Sequence, residues 1–535
     1  MVVASENRRY GLSEKDGTLL RDGVEVAQAA TIIAVGNVAS RILGLVREIV
    51  KADLFGAGGN VSALDTAMAL PKIIYALVVG GMINSALIPV LSDYTAPERR
   101  TELWHLLSLL LSVATIAVSG LVVLGELLTP QLVWLSAAGL PVADQQLATR
   151  LLRVMLPGVL FMSLASVLSG ALYALNRFTF PALTAAVFNV ALVIVALALG
   201  NRWGVYSMAV GLLVGSVLQV LLQLPGLRDA RFRLLLHLRH PALRRIGRLY
   251  LPILAGLAVD KLAELLSYRL ASHTGASSPS WMTYSATIIQ FPLGLVGTAI
   301  SIAILPTLSR QANNEQGDRF KATLGQGLRL VVALTVPATV GLWVLSTPIV
   351  RLVFEHGDFT SADTLATVAA LRFHLLGLTF AAVDQPLIFA FYARKDTWTP
   401  ALVGVVTVLF YVVMALAPTL FAPLTLNGLI LANSLKWAMH ALLMLLLLRR
   451  RVGALGGQRM WKTAVTAVGL SAMMGLAVHF VVRGVSRIAL TGTMGEVLLV
   501  GTAGLAGLVV YGLLAFFIRM DEVQFLSRAI LDWKE

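Results

Sequence analysis

The sequence contains no cysteine in 535 residues, which removes disulfides, thiolate metal sites and cysteine nucleophiles from consideration. Charge is scarce too: Asp, Glu, Lys and Arg make up 13% of the chain, against 57% hydrophobic residues. No soluble fold hides that much apolar surface. The motifs of zinc hydrolases, P-loop nucleotide hydrolases and serine esterases are missing, as is a paired-carboxylate pattern. An enzyme, an ATP-driven pump and a metal centre are therefore not expected, and no cofactor is implied. The short alternating segments of a membrane β-barrel are absent as well.

What is present is a succession of apolar runs of about 20 residues, the length that crosses roughly 30 Å of hydrocarbon as a helix. The mean hydropathy is +0.81. The runs predict about fourteen membrane-spanning helices, at 27–50, 61–92, 102–128, 147–175, 180–199, 204–225, 249–272, 281–309, 322–346, 362–390, 398–416, 424–448, 463–482 and 494–518. A net charge of +14 raises the question of nucleic acid, but the basic residues sit in short loops between apolar runs, which is a topology signal. With the N-terminus inside, the inner loops carry twenty Lys and Arg, and the outer loops five: Lys51, Arg202, Arg351, Arg483 and Arg487. That bias predicts cytoplasmic N- and C-termini. Residues 1–26 and 521–535 then read as tails, and the first apolar run is too long and too interrupted by charge for a cleaved signal.

The stretch 229–248 alternates arginines with Leu234, Leu235, Leu236 and Leu238. It reads as a basic amphipathic helix on the inner leaflet, an anchor more than a specific lipid site.

The chain also repeats itself. Arg153, Tyr173 and Pro181 are spaced 20 and then 8 residues apart, and Arg372, Tyr392 and Pro400 repeat that spacing. The run Ala86 to Ser92 ends the second span as Ala303 to Ser309 ends the eighth. The predicted architecture is thus all-α: two parallel six-helix repeats, 27–228 and 249–451, forming two lobes around a central cavity, with two further helices in 452–520.

Charges within spans cost roughly 2.5–3.5 kcal/mol each on insertion scales, so they face a cavity or a partner. Asn37, Arg41, Gly44 and Glu48 share one face of the first span, with Ser40 and Arg47 beside it. Gly36, Ser40 and Gly44 form a ridge of small residues suited to close helix packing. Arg41 and Arg47 suit an anionic phosphate group; an Arg41–Glu48 or Arg47–Glu48 pair, or snorkelling, is the structural alternative. Asp65 and Lys72 lie seven residues apart and either line the same cavity or neutralise each other. Asp260, Lys261 and Glu264 offer a cation or proton site, or a self-contained ion-pair cluster. His374, Asp384 and Lys436 have no partner evident in the sequence and are assigned to packing.

Three stretches carry a family resemblance. Ser40 to Glu48 followed by Phe55-Gly56-Ala57-Gly58 resembles the first-helix signature of the MurJ (MviN) family of lipid II flippases. Phe354 to Thr360 resembles that family's loop before the tenth helix, and Phe391 to Pro400 its tenth-to-eleventh turn. The resemblance implies a multidrug/oligosaccharidyl-lipid/polysaccharide exporter fold with a cationic cavity and a C-terminal groove for a polyprenyl tail. It implies transport of an undecaprenyl-pyrophosphate-linked peptidoglycan precursor across the bacterial cytoplasmic membrane by alternating access. Partners would be that lipid, membrane lipids and cell-wall synthesis proteins, and coupling would be to a Na+ or H+ gradient or to the membrane potential.

The chain departs from the family pattern in both lobes. An Asp-Ala pair is replaced by Ser62-Ala63, with Asp65 nearly one turn later; the Arg and Glu of the second helix fall on Tyr75 or Ala76 and Gly80. In the eighth helix an Asp-Arg and a Glu fall on Ala286-Thr287 and Gln290, leaving Lys261, Arg269 and Lys72 as replacement positive charge. Alternatives are a flippase for another polyprenyl-linked glycan, a cation-coupled drug antiporter using Asp260 and Glu264, or a structural partner in wall assembly.

Overall fold

The computed structural model describes residues 14–230, 232–233, 235, 240–312, 317–453, 459–488 and 492–524. Among these residues every regular element is helical. In the first half they are α1 Glu14–Phe55, α2 Gly59–Val79, α3 Ile88–Ser92, α4 Arg100–Leu127, α5 Thr129–Ala137, α6 Val142–Ala174, α7 Thr179–Trp203 and α8 Tyr206–Gln223. The second half has α9 Pro241–Ser272, α10 Ser278–Pro292, α11 Ala299–Gln311, α12 Gly317–Val344, α13 Ser346–Phe354, α14 Ser361–Ala393, α15 Trp398–Leu416 and α16 Leu426–Val452. Two helices follow, α17 Met460–Val485 and α18 Thr493–Phe517. Every predicted span coincides with a long helix or with a helix pair joined by a π-turn, as in α2–α3 through Ile83–Leu87 and α10–α11 through Leu293–Thr298. Twelve are long and apolar enough to cross a membrane; the other two, α1 and α9, carry the charges noted above.

The surface confirms the solvent. Leu505, Leu508, Phe516 and Phe517 on α18 are all exposed. A row of exposed apolar side chains of this kind is stable only against hydrocarbon. α1 starts at Glu14, so residues 14–26 of the expected tail are helical; 1–13 and 525–535 lie outside the described residues.

The chain falls into two compact units. The first runs up to Arg47 and takes in Ile74–Leu127 and Arg153–Leu251. The second comprises Glu48–Ile73, Leu128–Leu152 and everything from Pro252 onward. In the first, Gly211 and Gly215 of α8 pack closely against Leu192 and Phe188 of α7. Leu87, Leu91, Leu103 and Leu107 form its core. In the second, Leu324, Leu328, Leu387, Phe391 and Leu448 do the same.

The repeat read from spacing reappears in backbone geometry. α6 and α14 both end one residue after the repeated Tyr, and both are followed by a non-glycine residue in the left-handed region, Asn176 at φ 58° and Lys395 at φ 60°. The next residue closes each turn in the same way: Arg177 N donates to Leu172 O (2.8 Å), and Asp396 N to Phe391 O (3.0 Å). This is a Schellman-type C-cap made twice. Each corner is then tied by an ion pair of opposite polarity, Arg177 to Asp229 in the first unit (2.9 Å) and Asp396 to Arg451 in the second.

Both carboxyls sit in loops. Burial raises each, but for Asp229 the Arg177 hydrogen bond and its own backbone amide outweigh it. For Asp396 the hydroxyl and amide of Thr399 and the Arg451 guanidinium do so. Both end below the ordinary carboxylate value of about 3.9. A depressed carboxyl contributes stability above its unfolded value and loses it as pH falls through the native one. Asp396→Asn is therefore expected to lower thermal stability at pH 7, by on the order of 1 kcal/mol because Arg451 is half-exposed. The deficit should shrink towards pH 3; an equal deficit in melts at both pH values would refute the assignment.

The linker corrects one expectation. Residues 232, 233 and 235 are not helical, and α9 begins only at Pro241. Arg233 N donates to Ser108 Oγ (3.2 Å) and Leu235 N to Ser112 Oγ (3.0 Å). Residues 231, 234 and 236–239 lie outside the described residues, and 241–248 form the first turns of α9.

Candidate functional site

The face predicted on the first span is held by α7. Gly36 meets the backbone of Ala182 so closely that no side chain fits, and Gly44 faces Asn189. The small-residue ridge therefore does what its composition suggests. Asn189, buried on α7, accepts from Arg47 Nη1 at 2.9 Å and returns its amide to Ser40 O (3.3 Å) and Ala185 O (3.0 Å). A neutral amide thus orients the Arg47 guanidinium. Arg41 is half-buried, Ser40 likewise, and Asn37 is exposed. Tyr75, at a position where the resemblance implies an arginine, places its hydroxyl 2.7 Å from Ser166 Oγ.

Glu48 meets Lys51, one turn further along α1. Lys51 Nζ lies 2.6 Å from Glu48 Oε2 and 2.6 Å from Asp65 Oδ1. All three side chains are nearly inaccessible, Lys51 at 1% exposure. The reading of Lys51 as an outer-loop charge is therefore overturned: α1 continues to Phe55 and carries it inside. Its ammonium also stands 4.4 Å from the Tyr284 ring centroid. Asp65 Oδ2 is buried without a hydrogen-bond partner. Lys72, the expected companion of Asp65, is exposed.

Around this triad two of the resemblance-bearing stretches meet. Asp358 N donates to Asp53 O at 2.9 Å. Gly56 and Gly357 have φ of +68° and +54°, and each faces the other segment's backbone with no space for a Cβ. Tyr284 Oη donates to Gly56 O (2.8 Å), Ser280 Oγ to Ala57 O (2.6 Å) and Ser280 N to Ser62 Oγ (3.3 Å). Tyr284, Phe354 and Phe359 stack with centroids 4.8–5.9 Å apart. Thr360 then caps α14 with Asp363 in a reciprocal box. Nearby, Arg269 lies 4.4 Å from the Trp134 ring centroid and donates to Trp134 O at 3.0 Å, while Gly139 N donates to Ser272 Oγ at 3.0 Å. Within the second unit, ends of helices from both sequence repeats are thereby joined.

On α9, Lys261 pairs with Glu264 at 2.7 Å and Asp260 is exposed. Asp384 has a partner that the sequence did not reveal, His440 of α16, at 2.8 Å. Lys436, one turn earlier on α16, stands over the Tyr411 ring, and Tyr411 meets Ser267 at 2.9 Å. His374 is buried beside Trp437 with neither ring nitrogen hydrogen-bonded. His440 and Asn189 are the two residues that sequence reasoning missed; each is a lone polar group in an apolar run, which is the signal that would have flagged them. No group of three or more His, Asp or Glu suited to a metal occurs among the described residues.

Comparison with known proteins fits this arrangement. The chain is similar to the lipid II flippase MurJ of Burkholderia cenocepacia, 29% identical over 423 residues, covering 77% of this chain and 81% of that one. Its fold is similar to a solved lipid II flippase MurJ in an inward closed conformation, with a TM-score of 0.76 at 24% identity over 91% of this chain and 99% of the other. It is also similar to an inward-facing multidrug resistance MATE family transporter of the MOP superfamily, with a TM-score of 0.67 at 16% identity, over 78% and 96% of the two chains. The family model described as Lipid II flippase MurJ matches residues 51–500, and a match over that much of the sequence places this multi-span helical membrane protein in the MurJ family.

Proposed function

We propose that this protein flips lipid II, an undecaprenyl-pyrophosphate-linked peptidoglycan precursor, across the bacterial cytoplasmic membrane by alternating access, making and breaking no covalent bond. The observation that carries the reading is the family match over 51–500 together with Arg47, whose guanidinium is oriented by the amide oxygen of Asn189. A pyrophosphate bearing sugars and peptide cannot enter hydrocarbon, because its polar groups would lose their water. Arg41 and Arg47 supply donors suited to phosphate oxygens, with Ser40, Asn37 and Glu48 on or beside the same face.

The excess of basic residues in alternate loops favours an inside N-terminus. That orientation puts the interlocked segments 53–62, 280–284 and 354–359 towards the outer surface, where a state receiving substrate from the inner leaflet must be sealed. α17 and α18 then lie beside the prenyl tail. Coupling to an ion gradient is assigned to the polar residues of α9, Asp260 and the Lys261–Glu264 pair.

The test is a liposome assay with purified protein and lipid II carrying a headgroup probe, against another prenyl-linked sugar. Wild type should accelerate lipid II translocation selectively. Arg41→Ala and Arg47→Ala should each lose most of that rate, about tenfold or more, as expected when a charged hydrogen-bond donor worth roughly 1.5–3 kcal/mol is removed. The same pair should fail to rescue cells depleted of their own flippase; rescue by both variants sinks the phosphate-binding role.

A further inference from the structure

The first unit contains a cavity of ≈ 480 Å³ that the transport reading does not use. Its walls come from the end of α2, the π-turn, α4, α6 and the first turns of α9. It exists because α2 stops at Val79: Gly80 and Gly81 interrupt the helix, Gly81 at φ 77°, and Gly247 opposite has nothing within 4 Å of where a side chain would begin. Of its sixteen lining residues, three are polar: Ser163, Arg244 and Tyr250. Tyr250 is committed to Leu77 O at 2.8 Å. Ser163 Oγ is buried with no hydrogen-bond partner.

The volume lies in the range of small-molecule sites, roughly 300–1,000 Å³. A single free hydroxyl cannot hold ordered water there, which needs two to four polar partners. Left empty, the apolar walls would forfeit their dispersion contacts. The occupant is therefore mostly hydrocarbon.

The mouth fixes the other end of the ligand. Arg244 lines the cavity and Arg248 is exposed one turn further along α9, and neither has a carboxylate or hydrogen-bond partner among the described residues. Between them Arg245 is already neutralised by Asp93 at 2.6 Å. One unneutralised guanidinium in the wall of an apolar cavity, with a second on the next helical turn, is complementary to a phosphate attached to an aliphatic chain.

We propose that this cavity binds one acyl chain of an anionic phospholipid, with the headgroup phosphate on Arg244 and Arg248 and the buried Ser163 hydroxyl free to donate to the ester oxygen that joins chain to headgroup. The site is separate from Arg41 and Arg47 and its test does not measure transport.

The full-length protein in detergent is titrated with dioleoyl phosphatidylglycerol, dioleoyl phosphatidylcholine and inorganic phosphate, and read by native mass spectrometry and thermal melts. Phosphatidylglycerol should be retained at about one per chain and raise the melting temperature, while phosphatidylcholine and inorganic phosphate do neither. The double variant Arg244→Gln/Arg248→Gln, altered only at exposed positions, should bind phosphatidylglycerol about tenfold more weakly. Ala114→Phe and, independently, Val113→Phe should abolish retention by filling the cavity, each accepted only if it elutes as wild type and melts normally without lipid. Retention unchanged in the arginine variant, equal retention of phosphatidylcholine, an equal response to inorganic phosphate, or retention surviving both filled variants each overturns the proposal.

Discussion

Lys51→Met is expected to leave little folded protein. The substitution removes an ammonium that lies 2.6 Å from both Glu48 and Asp65, two nearly inaccessible carboxylates. Breaking a buried ion pair from one side costs about 3–5 kcal/mol, since the remaining charge keeps its desolvation penalty without its compensation. Here two carboxylates lose the same ammonium at once, and their mutual repulsion adds to that figure. The loss of the Tyr284 contact is small beside it. The converse substitution separates charge from shape. Lys51→Met combined with Glu48→Gln and Asp65→Asn removes all three charges at nearly constant volume, and replacing a buried ion cluster with neutral groups is often neutral or stabilising. The triple variant should recover most of the lost melting temperature. Thermal unfolding of the single, triple and wild-type proteins in the same detergent decides it: a single variant that melts like wild type contradicts the buried-triad energetics.

Oxidation of Ser62→Cys/Ser280→Cys is expected to stop transport, with reductant restoring it. Ser62 Oγ lies 3.3 Å from Ser280 N, which brings the two β-carbons towards the separation a disulfide needs. Serine to cysteine is nearly isosteric, and a chain without cysteine has no competing thiol. The bond would tie α2 to α10 at the interlocked segments. Alternating access requires those segments to part once per cycle, so the oxidised protein should lose essentially all lipid II translocation in liposomes while its melting temperature holds or rises. Each single variant should work as wild type does. Undiminished transport by fully cross-linked protein would mean that this contact does not open.

The long apolar helices and the internal repeat were legible because both rest on local pattern: apolar length in one case, the recurring Arg, Tyr and Pro in the other. The left-handed residues that close the two repeated corners were not, since neither Asn176 nor Lys395 is the glycine that normally marks such a turn. Lys51 was misread because a charge near the end of an apolar run looks like a loop. Its spacing to Glu48 was available, but Asp65 comes from another helix, and only packing unites them. Asn189 is uncharged and drew no notice, yet it orients Arg47. The linker misled through composition: leucines interleaved with arginines imitate a surface helix, whereas the amides of Arg233 and Leu235 donate to the hydroxyls of Ser108 and Ser112.

The interlock of Gly56 with Gly357 has a consequence for how such a seam can be pulled apart. Its Asp53–Asp358, Gly56–Tyr284 and Ala57–Ser280 bonds are drawn from peptide carbonyls, a peptide amide and neutral hydroxyls. Dipoles of that kind respond weakly to ionic strength and do not titrate near neutrality. Neither salt nor a proton acting on those bonds supplies the force to part them, so the push has to arrive mechanically, through helices that strain when cargo is loaded elsewhere.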